Sequence, residues 1–389
     1  METIKILQIL SQGEDSQNQF KKDLNNADAL AAELIAFSNT LGGKIFIGVS
    51  DDGEIVGLNS GDIQRINQLL SNTASQNVKP AINPLTEIVT INDRRILIVH
   101  VAKGNNKPYQ DKNGVIWVKN GADKRRATSR EEIQRLFQES GMVHADITPA
   151  NGITLNDLDM PYFKAFFKKR YGKSLEEQQV PLEQLISNLN LGKDGILNIT
   201  GALLFSNSPA IRLPAYIVKA AAFPGTSIAT EEYTDSRDIT GKLADIFQQT
   251  IGFLLTNTRQ VQGEQGINSQ GEPEIPRIVL EELVTNALVH RDYFISAPVR
   301  VFVFSDRIEI ISPGHLPNNL TVENIKAGNS NIRNPVLASF AYQILPYRGF
   351  GSGIIRALEN YPDIEFIDDR DGNLFKCIIG RKKELGVRS

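Results

Sequence analysis

The sequence predicts an α/β protein in the α+β sense, with helices and strands in irregular order. Three observations carry the prediction. Residues 27–41 place Leu30, Leu34, Ile35 and Phe37 at helical spacing and stop at Gly42-Gly43, and the apolar run from Lys44 to Val49 follows at once as a strand. Residues 85–92 and 95–102 alternate apolar and polar side chains about Asp93-Arg94, as the arms of a hairpin do. Residues 281–293 read as one helix, with Val279, Leu280, Leu283, Ala287 and Leu288 as its apolar face.

Residues 1–141 are expected to form the first domain. Within them Asp51-Asp52-Gly53 is a turn into a further strand, residues 114–119 form another, and Ser129-Arg130-Glu131-Glu132 is a capping box opening a helix that runs through Phe137 and stops at Gly141. Residues 142–155 read as a linker. A mixed middle segment, 156–259, comes next, with helices near 161–171, 181–190 and 242–256 and a strand at 213–223; bridging and oligomerisation are its expected roles. Residues 260–274 are rich in Gly, Gln and Glu with no apolar period, which marks a surface loop or boundary. The third domain, 275–389, closes with a strand at 375–380.

Composition sets modest limits. A chain of 389 residues holds two or three domains, and 41% hydrophobic with 22% charged residues is ordinary for globular protein. The net charge of −3 supplies no global basic field, so any nucleic-acid contact must come from a local patch. The single cysteine, Cys377, excludes an intramolecular disulfide, and with four histidines it argues against a structural zinc site. The N-terminus has no long apolar segment and no run of 18 apolar residues occurs, so a cytoplasmic protein without a membrane span is expected.

Candidate chemistry concentrates in the last third. Glu282 and Asn286 are four residues apart and share one helix face. A carboxylate and an amide one turn apart can hold Mg²⁺ and orient a water against a phosphate. Downstream come Ser312-Pro313-Gly314, Arg333-Asn334-Pro335 and the glycines Gly349, Gly351 and Gly353. Glycine lets backbone N–H groups approach an anion, and a helix starting near Ile354 would turn its positive end toward it. The bland alternative makes Glu282 and Asn286 exposed helix residues and the glycines turn punctuation. His290-Arg291-Asp292 is not a kinase catalytic loop, because no Asn stands five residues after Asp292; these residues are expected to close the helix and pack it.

Taken together these motifs resemble the divergent ATPase domain of the gyrase, histidine-kinase and mismatch-repair superfamily (GHKL), in the branch found in bacterial proteins called RecG-like, helicase-related or transcriptional regulators. That branch reads E-x-x-x-N-A-L-x-H-R-D-Y, N-P-G-x-L-P, R-N-P and G-x-G-x-G. The resemblance implies a sandwich of helices on a sheet that binds ATP with Mg²⁺. It makes Asn286 the amide ligand of the metal and Glu282 the catalytic residue that orients or deprotonates water. It places Ser312, Pro313 and Gly314 at the adenine, Gly349, Gly351 and Gly353 over the phosphates, and Arg333 nearby. Where the superfamily carries an aspartate for the adenine amino group this chain has Ser312, which implies weaker base selection and slow hydrolysis or none.

At the other end, Glu14-Asp15-Ser16 through Gln19-Phe20-Lys21, Ala36 to Gly43, Ile47 to Gly53 and Val56-Gly57-Leu58 are similar to the Schlafen AlbA-type domain. The resemblance implies nucleic-acid binding. In vertebrate Schlafen proteins the matching acidic positions form a metal-dependent ribonuclease site; carried over, they are Glu14, Gln19 and Asp51, and the neutral Gln19 weakens the set, leaving Glu14 and Asp51 as metal candidates. Lys21, Lys22, Lys44, Lys119, Lys124, Arg125 and Arg126, with Trp117 for stacking, are the candidate contacts to a phosphate backbone; the alternative is a solvated basic loop. The expectation is an ATP-binding regulatory protein, a homo-oligomer, coupling nucleotide to nucleic acid in transcription control or phage defence. The alternative is a Schlafen-like metal-dependent nuclease. With the chain ending soon after the 375–380 strand, the winged helix common in that branch is not expected.

Overall fold

The computed structural model describes residues 3–229, 232–261, 271–317, 320–346, 349 and 351–381. The chain divides into two compact units, Met1–Val143 and His144–Ser389. No helix among the described residues is long and apolar enough to cross a membrane.

The first unit runs α1 (Thr3–Gln12), β1 (Asn18–Lys21), α2 (Ala27–Asn39), β2 (Gly43–Ile47), α3 (Ser60–Asn72), β3 (Val78–Lys79), β4 (Leu85–Ile91), β5 (Arg94–Val101), β6 (Gln110–Asp111), β7 (Trp117–Asn120), β8 (Asp123–Arg126) and α4 (Arg130–Glu139). Its main sheet has the order β1-β2-β5-β4, with β1 and β2 parallel and the other pairs antiparallel. The α2 helix starts where the Asn26 side chain accepts from the Asp28 and Ala29 amides, and it packs Leu30, Leu34, Ile35 and Phe37 onto one face of that sheet. The last helical residue, Asn39, is buried; its amide donates to the Tyr109 and Trp117 carbonyls and accepts from the Tyr109 amide, tying three segments together. The hairpin turn is Asn92-Asp93, one residue earlier than the sequence suggests. Both sit at positive φ, 48° and 60°, as a two-residue hairpin turn demands, and Asn and Asp tolerate that conformation better than Arg94 would. The Asp51-Asp52-Gly53 turn leads to an isolated bridge between Val49 and Ile55 rather than to a strand.

The second unit runs β9 (Pro149–Thr154), α5 (Met160–Tyr171), α6 (Leu182–Asn188), β10 (Gly192–Lys193), β11 (Ile196–Asn198), α7 (Ile199–Phe205), β12 (Val218–Ala222), β13 (Asp235–Ile239), α8 (Leu243–Asn257), β14 (Gln260–Val261), β15 (Glu272–Pro273), α9 (Arg277–Val289), β16 (Val299–Val303), β17 (Arg307–Pro313), α10 (Val322–Lys326), α11 (Pro335–Ile344), α12 (Gly353–Asn360), β18 (Ile364–Asp369) and β19 (Leu374–Gly380). Its six-stranded sheet has the order β13-β12-β16-β17-β19-β18. Only the β12–β16 pair is parallel among these strands. Strands from the expected middle segment and from the expected third domain therefore share one sheet, and α8 and α9 share one core with it. Part of the boundary expected at 260–274, residues 262–270, lies outside the described residues; the strands flanking it, β14 and β15, pair with each other.

Of the stretch expected as a linker, 142–155, all but its first two residues are built into the second unit. It contains a 3₁₀ turn, Ala145–Ile147, and β9. Asp146 is fully buried, and its Oδ2 accepts from the Val336 and Leu337 amides at 2.8 and 2.9 Å. It satisfies the unpaired amides at the start of α11 from 190 residues away. Burial pushes its carboxyl above the ordinary range.

Candidate functional site

The α9 helix is apolar around most of its surface. Val279, Leu280, Leu283, Val284 and Val289 are buried in the core, and Glu282, five per cent exposed, is buried with them. The expected exposed-helix alternative for Glu282 fails on that burial. Its carboxylate faces a cavity that encloses about 1010 Å³, mouth included, between α9, the β17 and β19 strands and the segment entering α12.

The cavity gathers residues that are far apart in sequence. From α9 come Glu282 and Asn286, with His290 at its end; from β17, Ile310 and Ser312; from β19, Phe375 and Cys377. Gly349, Gly351 and Gly353 line it together with Gly314. Phe350 lies outside the described residues. Asn286 is half-buried, and its carboxamide has no hydrogen-bond partner among the described residues. Ser312 is buried and its hydroxyl donates to the Ala287 carbonyl at 3.1 Å, which spends its proton and leaves its oxygen as an acceptor.

Two expected site residues adjoin the cavity without lining it. Pro313 and Arg333 are absent from the cavity wall. The Pro313 carbonyl accepts from the Asp292 amide. Arg333 Nη2 donates to the His315 carbonyl at 2.7 Å, and its Nη1 lies 4.0 Å from Asp292 Oδ2. Arg333 thus braces the turn that carries Gly314. That turn needs glycine: Gly314 has φ +96°, and a Cβ there would strike Arg333 and Asp292.

One ionic contact in the cavity is one the sequence motifs do not contain. Arg356 Nη2 donates to Glu282 Oε2 at 2.7 Å. Gly353, one turn earlier on α12, lies directly against the same carboxylate, and a Cβ at this position would overlap Glu282 Oε1. A sequence signal for Arg356 did exist. It is a cation in the opening turns of a helix with no acidic residue in its first turn, where the dipole disfavours positive charge unless an anion is nearby. His290 also lines the cavity. Burial, and second the Arg333 charge, holds its imidazole down to about 4, so it is neutral there at physiological pH. Arg291 and Tyr293 close α9 in the core as expected, with the Tyr293 hydroxyl donating to the Leu288 carbonyl at 2.9 Å. Burial pushes the Cys377 thiol up to about 12.

In the first unit the candidate residues form a different arrangement. Glu14 Oε1 accepts from Gln19 Nε2 at 2.6 Å and from the Phe20 amide at 2.7 Å, with Lys21 Nζ at 3.6 Å. Lys119 turns inward: its side chain is 2% exposed and its Nζ donates to Gln19 Oε1 at 2.8 Å, lying 3.8 Å from Glu33 and 4.9 Å from the Phe37 ring centroid. Burial lowers the Lys119 ammonium pKa against the opposing pull of Glu33. Lys124 pairs with Glu33 at 2.6 Å. Arg125 grips Glu132 through both Nη atoms at 2.9 and 2.7 Å, and Arg126 lies over Trp117 at 5.4 Å. Lys22 is exposed, Lys44 half-buried, and Asp51 exposed. Glu33 carried no sequence signal beyond an acidic residue on an otherwise apolar helix face. Among the described residues no three His, Cys, Asp or Glu side chains come together as a metal ion would need.

Comparison with known families places both ends of the chain. The family model described as "Schlafen, AlbA_2" matches residues 14–128, and the one described as "Putative ATP-dependent DNA helicase recG C-terminal" matches residues 296–370. The chain carries a Schlafen AlbA-type domain in its first unit and a RecG C-terminal-like, ATPase-type domain in its second. Glu282 and Asn286 precede the second match. A comparison with curated proteins finds no match. Among solved structures the chain is similar to the DIP2311 protein from Corynebacterium diphtheriae, at 20% identity over 98% of this chain and 80% of that one, with TM-score 0.46. It is also similar to the N-terminal domain of a "Putative ATP-dependent DNA Helicase RecG-related Protein" from Nitrosomonas europaea, at 22% identity over 33% of this chain and 97% of that one, with TM-score 0.24.

Proposed function

We propose that the chain is a nucleotide-binding regulatory protein: its second unit binds ATP with Mg²⁺, and that binding controls nucleic-acid binding by the first. The observation that carries the reading is the convergence of Glu282, Asn286, Ser312 and the glycines of 349–353 on one cavity. Among the described residues the cavity offers the metal one side-chain donor, which suits an ion that keeps several waters and takes phosphate oxygens for the rest of its shell. The unpartnered Asn286 carboxamide offers a hard oxygen donor of the kind Mg²⁺ takes, and the ion would supply charge neutralisation for a bound phosphate.

The chain's own residues do the rest. Gly349, Gly351 and Gly353 expose backbone N–H groups to an anion without Cβ obstruction. Ser312, its proton already given to Ala287, accepts a hydrogen bond from a base amino group, and a neutral hydroxyl selects more weakly than a carboxylate. Glu282 is the proton acceptor for an attacking water, and its pairing with Arg356 at 2.7 Å holds that role in check, which fits slow turnover.

In the first unit, Lys22 and Arg126 on the surface, with Trp117 beneath Arg126, support backbone and stacking contacts to nucleic acid. Binding is favoured over nuclease chemistry because Glu14 is already engaged by Gln19 and the Phe20 amide, and the Lys119 ammonium stands at Gln19 and Glu33. Nucleotide-linked self-association, in transcription control or phage defence, is the setting that suits such coupling.

Calorimetry with Mg-ATP on wild type and Asn286→Ala tests the reading. Saturable binding weakened at least tenfold in the variant, about 1.4 kcal/mol, is expected. Absence of nucleotide binding by the wild type sinks it.

A further inference from the structure

The Arg356–Glu282 pair is more than a clasp between α12 and α9. Arg356 lines the cavity with its side chain 21% exposed, while the Glu282 side chain is 6% exposed. Only one of the guanidinium nitrogens, Nη2, has a hydrogen-bond partner among the described residues, and Nε is buried with none. A planar fork able to make five donations is therefore engaged at a single nitrogen. The position is built for an anion: Gly353 leaves no Cβ between the start of α12 and the carboxylate, and the helix dipole adds to the Arg356 charge there. Gly349 and Gly351 line the same cavity. A phosphate meets every demand that the carboxylate meets, with more charge and three acceptor oxygens, and Arg binds phosphate by two parallel donations.

We propose that Arg356 binds the terminal phosphate of the nucleotide, and that the Glu282 carboxylate and that phosphate compete for its guanidinium. The inference rests on the nucleotide reading of the cavity and assigns a residue to it that no motif names. The exchange has two consequences. Triphosphates are preferred over monophosphates, because only they reach Arg356. A terminal phosphate that takes Arg356 also breaks the Arg356–Glu282 pair, so that contact on the proton acceptor is removed by the substrate it serves.

The test is calorimetry with Mg²⁺ and either the β,γ-imido analogue of ATP or AMP, on wild type, Arg356→Ala, Arg356→Lys and Glu282→Gln. The expected result is a loss of at least tenfold in analogue affinity for Arg356→Ala, with AMP affinity within about twofold of wild type, which also shows that the fold survives; Arg356→Lys falls between. Glu282→Gln keeps the side chain's shape and frees the guanidinium, so it binds the analogue severalfold tighter, and the gain disappears in the double variant Glu282→Gln/Arg356→Ala. Equal losses for AMP and analogue in Arg356→Ala, or weaker analogue binding in Glu282→Gln, would mean that the pair only fixes α12, and would overturn the proposal while leaving the nucleotide site standing. A wild type that binds neither ligand overturns both readings together.

Discussion

Replacing Gly353 with alanine adds one methyl group where the structure has no room for it. Gly353 does not sit at positive φ, so alanine can adopt its backbone, and the cost falls on contacts alone. The added Cβ overlaps Glu282 Oε1 and comes within 3.1 Å of Glu282 Cγ. Glu282 cannot swing into solvent, being 5% exposed and held by Arg356 at 2.7 Å. Overpacking of this kind costs about 1–3 kcal/mol. Alanine returns about 0.5–1 kcal/mol in helix preference. The expected net loss is about 0–2.5 kcal/mol if the ion pair survives, and larger if the methyl forces Glu282 away from Arg356, since a buried ion pair is then broken. The assay is urea denaturation of wild type, Gly353→Ala, Glu282→Ala and the double variant. Glu282→Ala removes the atoms that the methyl strikes, so in its background Gly353→Ala becomes neutral or mildly stabilising, a coupling of at least about 1 kcal/mol. Additivity within about 0.5 kcal/mol would refute the contact and with it the placement of Glu282 over α12.

Three further outcomes are expected. His290 is held to about 4 by burial and by Arg333, against 6.5 in its unperturbed state. As pH falls through that window the unfolded chain takes up a proton that the folded chain refuses, so stability falls, by at most about 3 kcal/mol, and by less where cavity water solvates the ring edge. Urea midpoints at pH 7 and pH 4.5 should converge in His290→Gln relative to wild type; an unchanged gap would count against it. In the first unit, Lys119→Met strips a buried ammonium from Glu33 and Gln19 and should cost about 2–4 kcal/mol, at least twice the cost of Lys124→Met, whose side chain is 27% exposed; equal thermal shifts for the two would remove Lys119 as the centre of that cluster. Asp146→Ala deletes the acceptor for two amides at the start of α11 and should cost about 1–2 kcal/mol, while Asp146→Asn, which keeps an acceptor oxygen, loses much less by chemical denaturation. Similar losses in both would assign the effect to charge.

How much of this molecule is legible in its sequence depends on the range of the interaction that decides each feature. The α2 and α9 helices are legible because apolar spacing over one or two turns determines them, and the Ser129 cap because its acceptor and donor are three residues apart. The cavity lining is legible in outline because Glu282 and Asn286 stand four apart on one helix face and because glycines mark places where a Cβ would collide. Features set by distant partners are not. Asp146 reads as a linker residue until the start of α11 is brought to it, and Lys119 reads as a surface cation until Gln19 and Glu33 enclose it. The resemblance sets Arg333 near the site without a role, and the side-chain path supplies one: its guanidinium braces the Gly314 turn. The aperiodic stretch 260–274 suggests a boundary between the middle segment and the third domain, whereas the parallel β12–β16 pair joins residues some 80 positions apart in one sheet.

The lone cysteine gives this protein its own clock. Cys377 is the single thiol in the chain, lies on β19 in the cavity wall, is 6% exposed, and has its thiol pushed up to about 12 by burial. At pH 7.5 its reactive thiolate is on the order of one molecule in 10⁴ to 10⁵, so an alkylating reagent must wait for the wall to open. Each covalent mass increment then records one opening of the second unit. Where reclosing outpaces alkylation, the rate of marking is proportional to the opening equilibrium, with no engineered label, and a ligand seated against β19 would slow the count by the factor by which it stabilises the closed wall.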